Sequence, residues 1–187
     1  LNKQLAGKSA WASTAVAAYE HAINAGGSPK DIETILQLVY LNFTAPRFDE
    51  TDLNNLKKMY APYFANMEQD PNYLCSKELQ KTLFNNHYRQ QITSAAQIEA
   101  LNIATLQSVH SQLYGYADDF RFVIAGNIDL ETLKPLVEKY IGSLTTSKKV
   151  EYAVVDDGVR TAKGEVTNDF RTPMQQPKVS VRLNYTG

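Results

Sequence analysis

The sequence predicts an α+β fold: a mostly antiparallel sheet with helices packed on one face, incomplete at both ends. Three observations predict it. Short alternating segments open the chain, and a run of amphipathic helices follows. From Phe120 to Leu144 a strand, a tight turn and a helix then succeed one another.

Residues 8–25, KSAWASTAVAAYEHAINA, combine helix-favouring alanines with Ser9, Ser13, Thr14 and a weak alternation, and read as one or two strands broken by Gly26-Gly27. Ser28-Pro29 opens a helix, with Ser28 as N-cap and Pro29 where no backbone donor is needed. Ile32, Ile35, Leu36 and Val39 form its apolar face, and it ends near Phe43, before Pro46. Asp49 caps the next helix, whose face is Leu53, Leu56, Tyr60, Tyr63, Phe64 and Met67. Pro62 inside it removes one backbone bond.

Asp70-Pro71 starts a third helix, with Cys75, Leu79 and Leu83 on one side, ended by Asn85-Asn86. Ser94 and Gln97 have capping-box spacing. A further helix carries Leu106, Val109, His110 and Leu113 and stops at Gly115. Phe120, Phe122 and Ile124 alternate with Arg121, Val123 and Ala125 as a strand. Gly126-Asn127 turns the chain, Asp129 caps a helix with Leu130, Leu133, Leu136, Val137, Tyr140 and Ile141 on its face, and Gly142 takes the left-handed C-cap position. The polar stretch TTSKK marks a boundary. Beyond it, Val179, Val181, Leu183 and Tyr185 alternate with Lys178, Ser180, Arg182 and Asn184 as a strand without a covering element. The segment LNKQLAGKS at one end and the strand at the other read as cuts from a longer polypeptide.

Composition narrows the function. Hydrophobic residues at 43% are enough for a core. With 19 basic and 20 acidic residues and no basic block, nucleic acid is not an expected partner. No apolar run approaches the ~20 residues that span a membrane. The single Cys75 excludes an intrachain disulfide and reads as a small apolar helix residue.

Groups able to carry chemistry are sparse. Zinc needs convergent ligands, often two histidines one helical turn apart. His21, His87 and His110 provide no such pair, and Glu20-His21 are strand neighbours on opposite faces. No GxSxG elbow occurs. Asp156-Asp157 and Glu50 with Asp52 suit capping and solvation. Gly126-Asn127 precedes a helix N-terminus without a phosphate-binding glycine pattern. Tyr60, Tyr63 and Phe64 read as core, while Tyr19, Tyr73 and Tyr88 sit in less regular contexts where they could contact peptide.

FRFVIAGNIDLETLKPLVEKYIGSL, at 120–144, resembles the strand–GN–helix signature of the pitrilysin/insulinase-like zinc peptidases. LAGKSAWAS, SPKDIETILQLVYLNFTAPRFDETDLNNLKK, ANMEQDPNYLCSKEL and TLFNNHYR, in this order, resemble successive parts of a non-catalytic third module in the long four-module bacterial forms, and GVRTAKGEV resembles the lead into the first strand of the next module. The resemblance covers most of the chain. It implies that residues 1–147 are such a module, truncated at its N-terminus, and that 148–187 are a linker and the first strands of the next.

The family's zinc is held by two His of an HxxEH motif and a more distant Glu. The helix matching that motif would precede residue 1. The position of the third ligand falls near Tyr63 and Phe64, where no carboxylate stands, and Glu68 is over a turn away. The resemblance thus implies no catalytic and no metal residue in this chain, leaves the substrate-binding residues unassigned, and places zinc in an upstream module of the parent. Arg182 and Tyr185 lie on a strand and are not the family's substrate-orienting Arg–Tyr pair, which belongs to a later helix. The implied function is part of a zinc-dependent metalloendopeptidase that hydrolyses peptides in a closed chamber, this chain supplying wall and binding surface. The alternative is a scaffold or partner subunit that has lost the zinc motif. Implied partners are peptide or unfolded-protein substrates and the catalytic half of the same polypeptide. The implied location is periplasmic or otherwise extracytoplasmic.

Overall fold

The computed structural model describes residues 5–147 and 156–172 together with 179, 181 and 183. Two compact units, each discontinuous in sequence, divide the chain: 1–48 with 103–152, and 49–102 with 153–187. The described elements are helices and a small antiparallel sheet, an α+β arrangement.

The first unit opens with a hairpin. β1 (Ala10–Val16) pairs antiparallel with β2 (His21–Gly27), in register from Ala10↔Gly27 to Val16↔His21. The two glycines read as a break lie inside β2. Gly26 faces Trp11, whose ring would meet a Cβ there at 3.1 Å, and a Cβ on Gly27 would fall 1.9 Å from the Ser9 carbonyl oxygen. Close approach of the two strands, not a turn, requires glycine here.

Ser28 precedes a short 3₁₀ turn, Pro29–Asp31, and its side chain caps nothing. The α-helix starts later, at α1 (Ile32–Thr44), because Asp31 is drawn to the hairpin and accepts from the Ser9 N–H at 3.0 Å. α1 packs across both strands and buries Ile35, Leu36, Leu38 and Val39. Burial of such side chains contributes about 1.5–3 kcal/mol each, an upper estimate because denatured chains are already partly compact.

α5 (Ile103–Tyr114) ends where a Cβ on Gly115 would sit 2.3 Å from the Ser111 carbonyl. Its last residue, Tyr114, is 3% exposed. α6 (Leu130–Tyr140) is capped by Asp129, which accepts from the Thr132 N–H at 2.8 Å. It packs on α1 through Glu33, which accepts from Lys139 at 3.1 Å and from the Tyr140 hydroxyl at 2.7 Å. Leu130, expected on the apolar face, is 77% exposed. Gly142 does not have the positive φ expected of a left-handed cap. Its N–H closes the helix onto the Val137 carbonyl at 3.0 Å, and a Cβ would meet the Glu138 carbonyl at 2.7 Å.

The largest departure concerns Phe120–Ala125. These residues form no paired strand among the described residues. Phe120 has extended backbone, at φ −111 and ψ 145, yet among the described residues no strand pairs with 121–125 to complete a ladder.

In the second unit, α2 (Glu50–Met67) is capped by Asp49, which accepts from Thr51 and Asp52. Pro62 sits inside it without ending it. Of the expected apolar face only Leu53 is buried, together with Ala61. Leu56, Tyr60 and Tyr63 stay exposed. α3 (Pro71–Leu83) is capped by Asp70 and ends at Asn85 and Asn86, both with positive φ. α4 (Ala95–Glu99) packs on α2 and carries the full capping box of Ser94 and Gln97. Of the strand expected over 177–185, residues 177, 178, 180, 182, 184 and 185 lie outside the described residues, and Val179, Val181 and Leu183 are exposed.

Candidate functional site

The histidines occupy three different settings. His21, in β2, meets the rings of Tyr114 and Phe120 edge-on, with centroids 5.5 and 4.9 Å away. His110, on α5, places Nε2 3.0 Å from the Asn42 carbonyl and lies 5.2 Å from the Tyr114 ring. His87, in the second unit, accepts from the Arg89 N–H through Nδ1 and stacks on Tyr88 at 4.8 Å. His21 and His110 thus share Tyr114 as a neighbour, in an aromatic cluster that also holds Phe43 and Phe120. Tyr114 is the residue that sequence reasoning missed. Its hydroxyl donates to the Ala15 carbonyl at 3.0 Å and lies 3.4 Å from that of Ala22, tying α5 to both strands. Burial raises its pKa. A large residue just before a helix-ending glycine was the only signal for it.

These residues do not fit zinc. Among the described residues no three His, Cys, Asp or Glu side chains converge as metal ligands. The aromatic packing of His21 and the carbonyl partner of His110 account for both rings. Tyr63 and Phe64 pack edge-to-face, 5.3 Å apart, and Glu68 accepts from Lys77 at 3.1 Å.

The other candidates have structural roles. Asp156 pairs with Arg160, which holds its carboxyl below the ordinary carboxylate range, and it also accepts from Gly158. Asp157 accepts from Val159 at 3.0 Å. Glu50 and Asp52 occupy the first turn of α2. Cys75 is half-buried on α3. Tyr73 donates to the Thr93 carbonyl at 2.6 Å, and Tyr19 and Tyr88 are exposed. Asp129 is held below the ordinary carboxylate range by Thr132, hydroxyl first and then N–H, as a helix cap.

The feature of the first unit able to receive another molecule is a cavity of about 640 Å³. Residues 21–29 form one wall, 119–128 the other, and Ile35, Leu36, Val39 and Phe43 of α1 contribute an apolar lining. A smaller pocket in the second unit is polar, with Lys77, Lys81 and His87 among its lining residues. Its two lysines are already paired, with Glu68 and Glu78.

Residues 100–187 match the family described as the peptidase M16 inactive domain. Over 158 residues the chain is 22% identical to the probable zinc protease PqqL of Haemophilus influenzae, covering 84% of this chain and 17% of that protein. Over 159 residues it is 23% identical to a PQQL-like zinc protease of Arabidopsis thaliana, covering 82% of this chain and 17% of that protein. Among solved structures it superposes on the ferredoxin protease FusC, crystallised in complex with Arabidopsis ferredoxin. The TM-score is 0.61 at 16% identity, over 81% of this chain and 17% of that one. The family match over residues 100–187 and the two relatives support a pitrilysin/insulinase-like family, and the matched domain is one described as inactive. It spans about 17% of the length of the curated relatives it matches.

Proposed function

We propose that the chain is a non-catalytic module of a zinc-dependent metalloendopeptidase, supplying chamber wall and peptide-binding surface to a catalytic half elsewhere in the same polypeptide. The observation that carries this reading is the match to a peptidase domain described as inactive, in a chain similar to proteins named as zinc proteases. In it, residues 1–147 form most of a third module and 148–187 lead into a fourth. The histidine settings support it, since aromatic and backbone partners already account for His21 and His110. Zinc, with the water it activates, belongs to an upstream module. The substrates are peptides or unfolded proteins. The ferredoxin bound to the FusC protease supports a polypeptide substrate class. The location proposed with this reading, on the family resemblance alone, is a periplasmic or otherwise extracytoplasmic one in a bacterium.

Sequencing the parent gene upstream of Leu1 tests the reading. An HxxEH motif on a helix, with a Glu on a later one, is the expected result. A parent lacking those residues would be a scaffold or partner subunit instead.

A further inference from the structure

The pocket of about 320 Å³ in the second unit is built by one helix and the segment that returns along it. α3 places Lys77 and Lys81 one turn apart on a single face. Asn85 and Asn86, both at positive φ, then reverse the chain, a conformation that asparagine tolerates better than most residues. The returning segment is fastened back to α3 twice. The Tyr73 hydroxyl donates to the Thr93 carbonyl at 2.6 Å, and the Gln80 amide to Gln90 Oε1 at 3.2 Å. Asn86, His87 and Gln91 thereby line one pocket with the two lysines.

The charge of that lining is one-sided. Its described residues include two lysines and a histidine, and no Asp or Glu. His87 Nδ1 accepts from the Arg89 N–H at 3.3 Å, so in the neutral ring the proton sits on Nε2 and that atom donates. Glycine at 158 leaves Nε2 uncovered, since a Cβ there would stand 3.7 Å away. The side-chain amides of Asn86 and Gln91 make no hydrogen bond among the described residues. Lys77 and Lys81 are paired at 3.1 and 3.5 Å with Glu68 and Glu78, carboxylates outside the lining. An ammonium has three donors, so each pair leaves two. Both lysines are more than a third exposed, and ion pairs in that setting are weak. Glu78 also accepts from Asn168 at 3.1 Å and keeps that partner when Lys81 turns away.

We propose that this pocket binds a compact oxyanion, a carboxylate or a phosphate, through Lys77, Lys81, the Nε2–H of His87 and the amides of Asn86 and Gln91. Its volume lies at the lower end of the ~300–1,000 Å³ of small-molecule sites, enough for a terminal group and not for a long chain. Two sources carry this chemistry. One is the C-terminal carboxylate of a peptide, a source that rests on the module reading given above. The other is free inorganic phosphate.

Titration of the isotope-labelled 187-residue chain at fixed ionic strength tests this, with the NMR amide resonances of residues 86–91 as readout. The probes are sodium phosphate, a tetra-alanine peptide with a free carboxyl, and the same peptide as its C-terminal amide. Phosphate and the free acid should shift those resonances saturably, and the amide should not. Lys77→Gln and Lys81→Gln should each weaken binding by about tenfold, the worth of one hydrogen bond to a charged group. Lys58→Gln removes the same charge outside the pocket and should change nothing. If a lysine variant loses its helical circular dichroism, Gln91→Ala takes its place and should also weaken binding. Saturation by phosphate alone keeps the oxyanion site and assigns it to free phosphate. No saturable shift with phosphate or the free acid would overturn the proposal. So would an amide that binds as tightly as the acid, or an equal loss in Lys58→Gln. None of these readouts depends on zinc or peptidase activity, so a parent without the zinc motif would disprove the functional reading and leave the oxyanion site standing.

Discussion

Tyr114→Phe isolates one hydroxyl at the centre of the first unit. The ring contacts with His21, His110 and Phe120 remain, and only the bond to the Ala15 carbonyl, with the long approach to Ala22, is lost. Ala15 and Ala22 are opposite each other in the hairpin, so both carbonyls keep their ladder bonds. No buried acceptor is therefore stranded, and the cost is that of one net hydrogen bond, about 1 kcal/mol. For a chain of this size that lowers the melting temperature by about 2–4 °C. The single Trp11, packed against Gly26 in the same hairpin, reports the loss by fluorescence in urea titration. Burial raises the Tyr114 pKa above 10.0. Its neutral-state contribution is complete below that value and is lost as pH rises through the raised pKa, because the unfolded chain releases its proton first. Wild type should thus lose stability more steeply than Tyr114→Phe on the alkaline side. Equal stability at pH 7, or parallel alkaline limbs, would refute the assigned role.

Three further substitutions probe the elements that position these groups. Ser94→Ala removes half of the capping box on α4 and should cost about 1 kcal/mol, measured by urea titration with circular dichroism. Gly115→Ala puts a Cβ 2.3 Å from the backbone carbonyl of Ser111 and should destabilise by more than about 1 kcal/mol in the same assay. The Glu33 carboxyl is held below 4.5, first by the Tyr140 hydroxyl and then by Lys139. Its contribution is present above 4.5 and lost as pH falls through the depressed value. Glu33→Gln should therefore be less stable than wild type at pH 7, with the gap closing as pH falls below 4.5 in acid titration monitored by circular dichroism.

Local chemistry was legible where one residue decides the outcome. Asp49, Asp70, Asp129 and the Ser94–Gln97 box all cap the helices that their spacing announced. Failures came where a distant partner decides. Gly26 and Gly27 read as a break because nothing local shows that Trp11 and Ser9 press against them. Ser28 lost its capping role once the preceding hairpin engaged Asp31. Phe120–Ala125 has the alternation of a strand, but a ladder needs a neighbour, and its composition cannot say whether one is present. Leu56, Tyr60 and Tyr63 follow helical spacing along α2 yet remain exposed, since periodicity identifies a face without identifying what covers it. The aromatic cluster around Tyr114 joins residues nearly 100 positions apart, with 99 between Tyr114 and Ala15, and spacing alone does not reveal it.

The most direct test of the account is the zinc content of two purified proteins, the 187-residue chain and its parent polypeptide, measured by elemental analysis after exhaustive dialysis. The account predicts one equivalent in the parent and none in the 187-residue chain. One equivalent in the short chain, lost on replacing His21, His87 or His110, would contradict it.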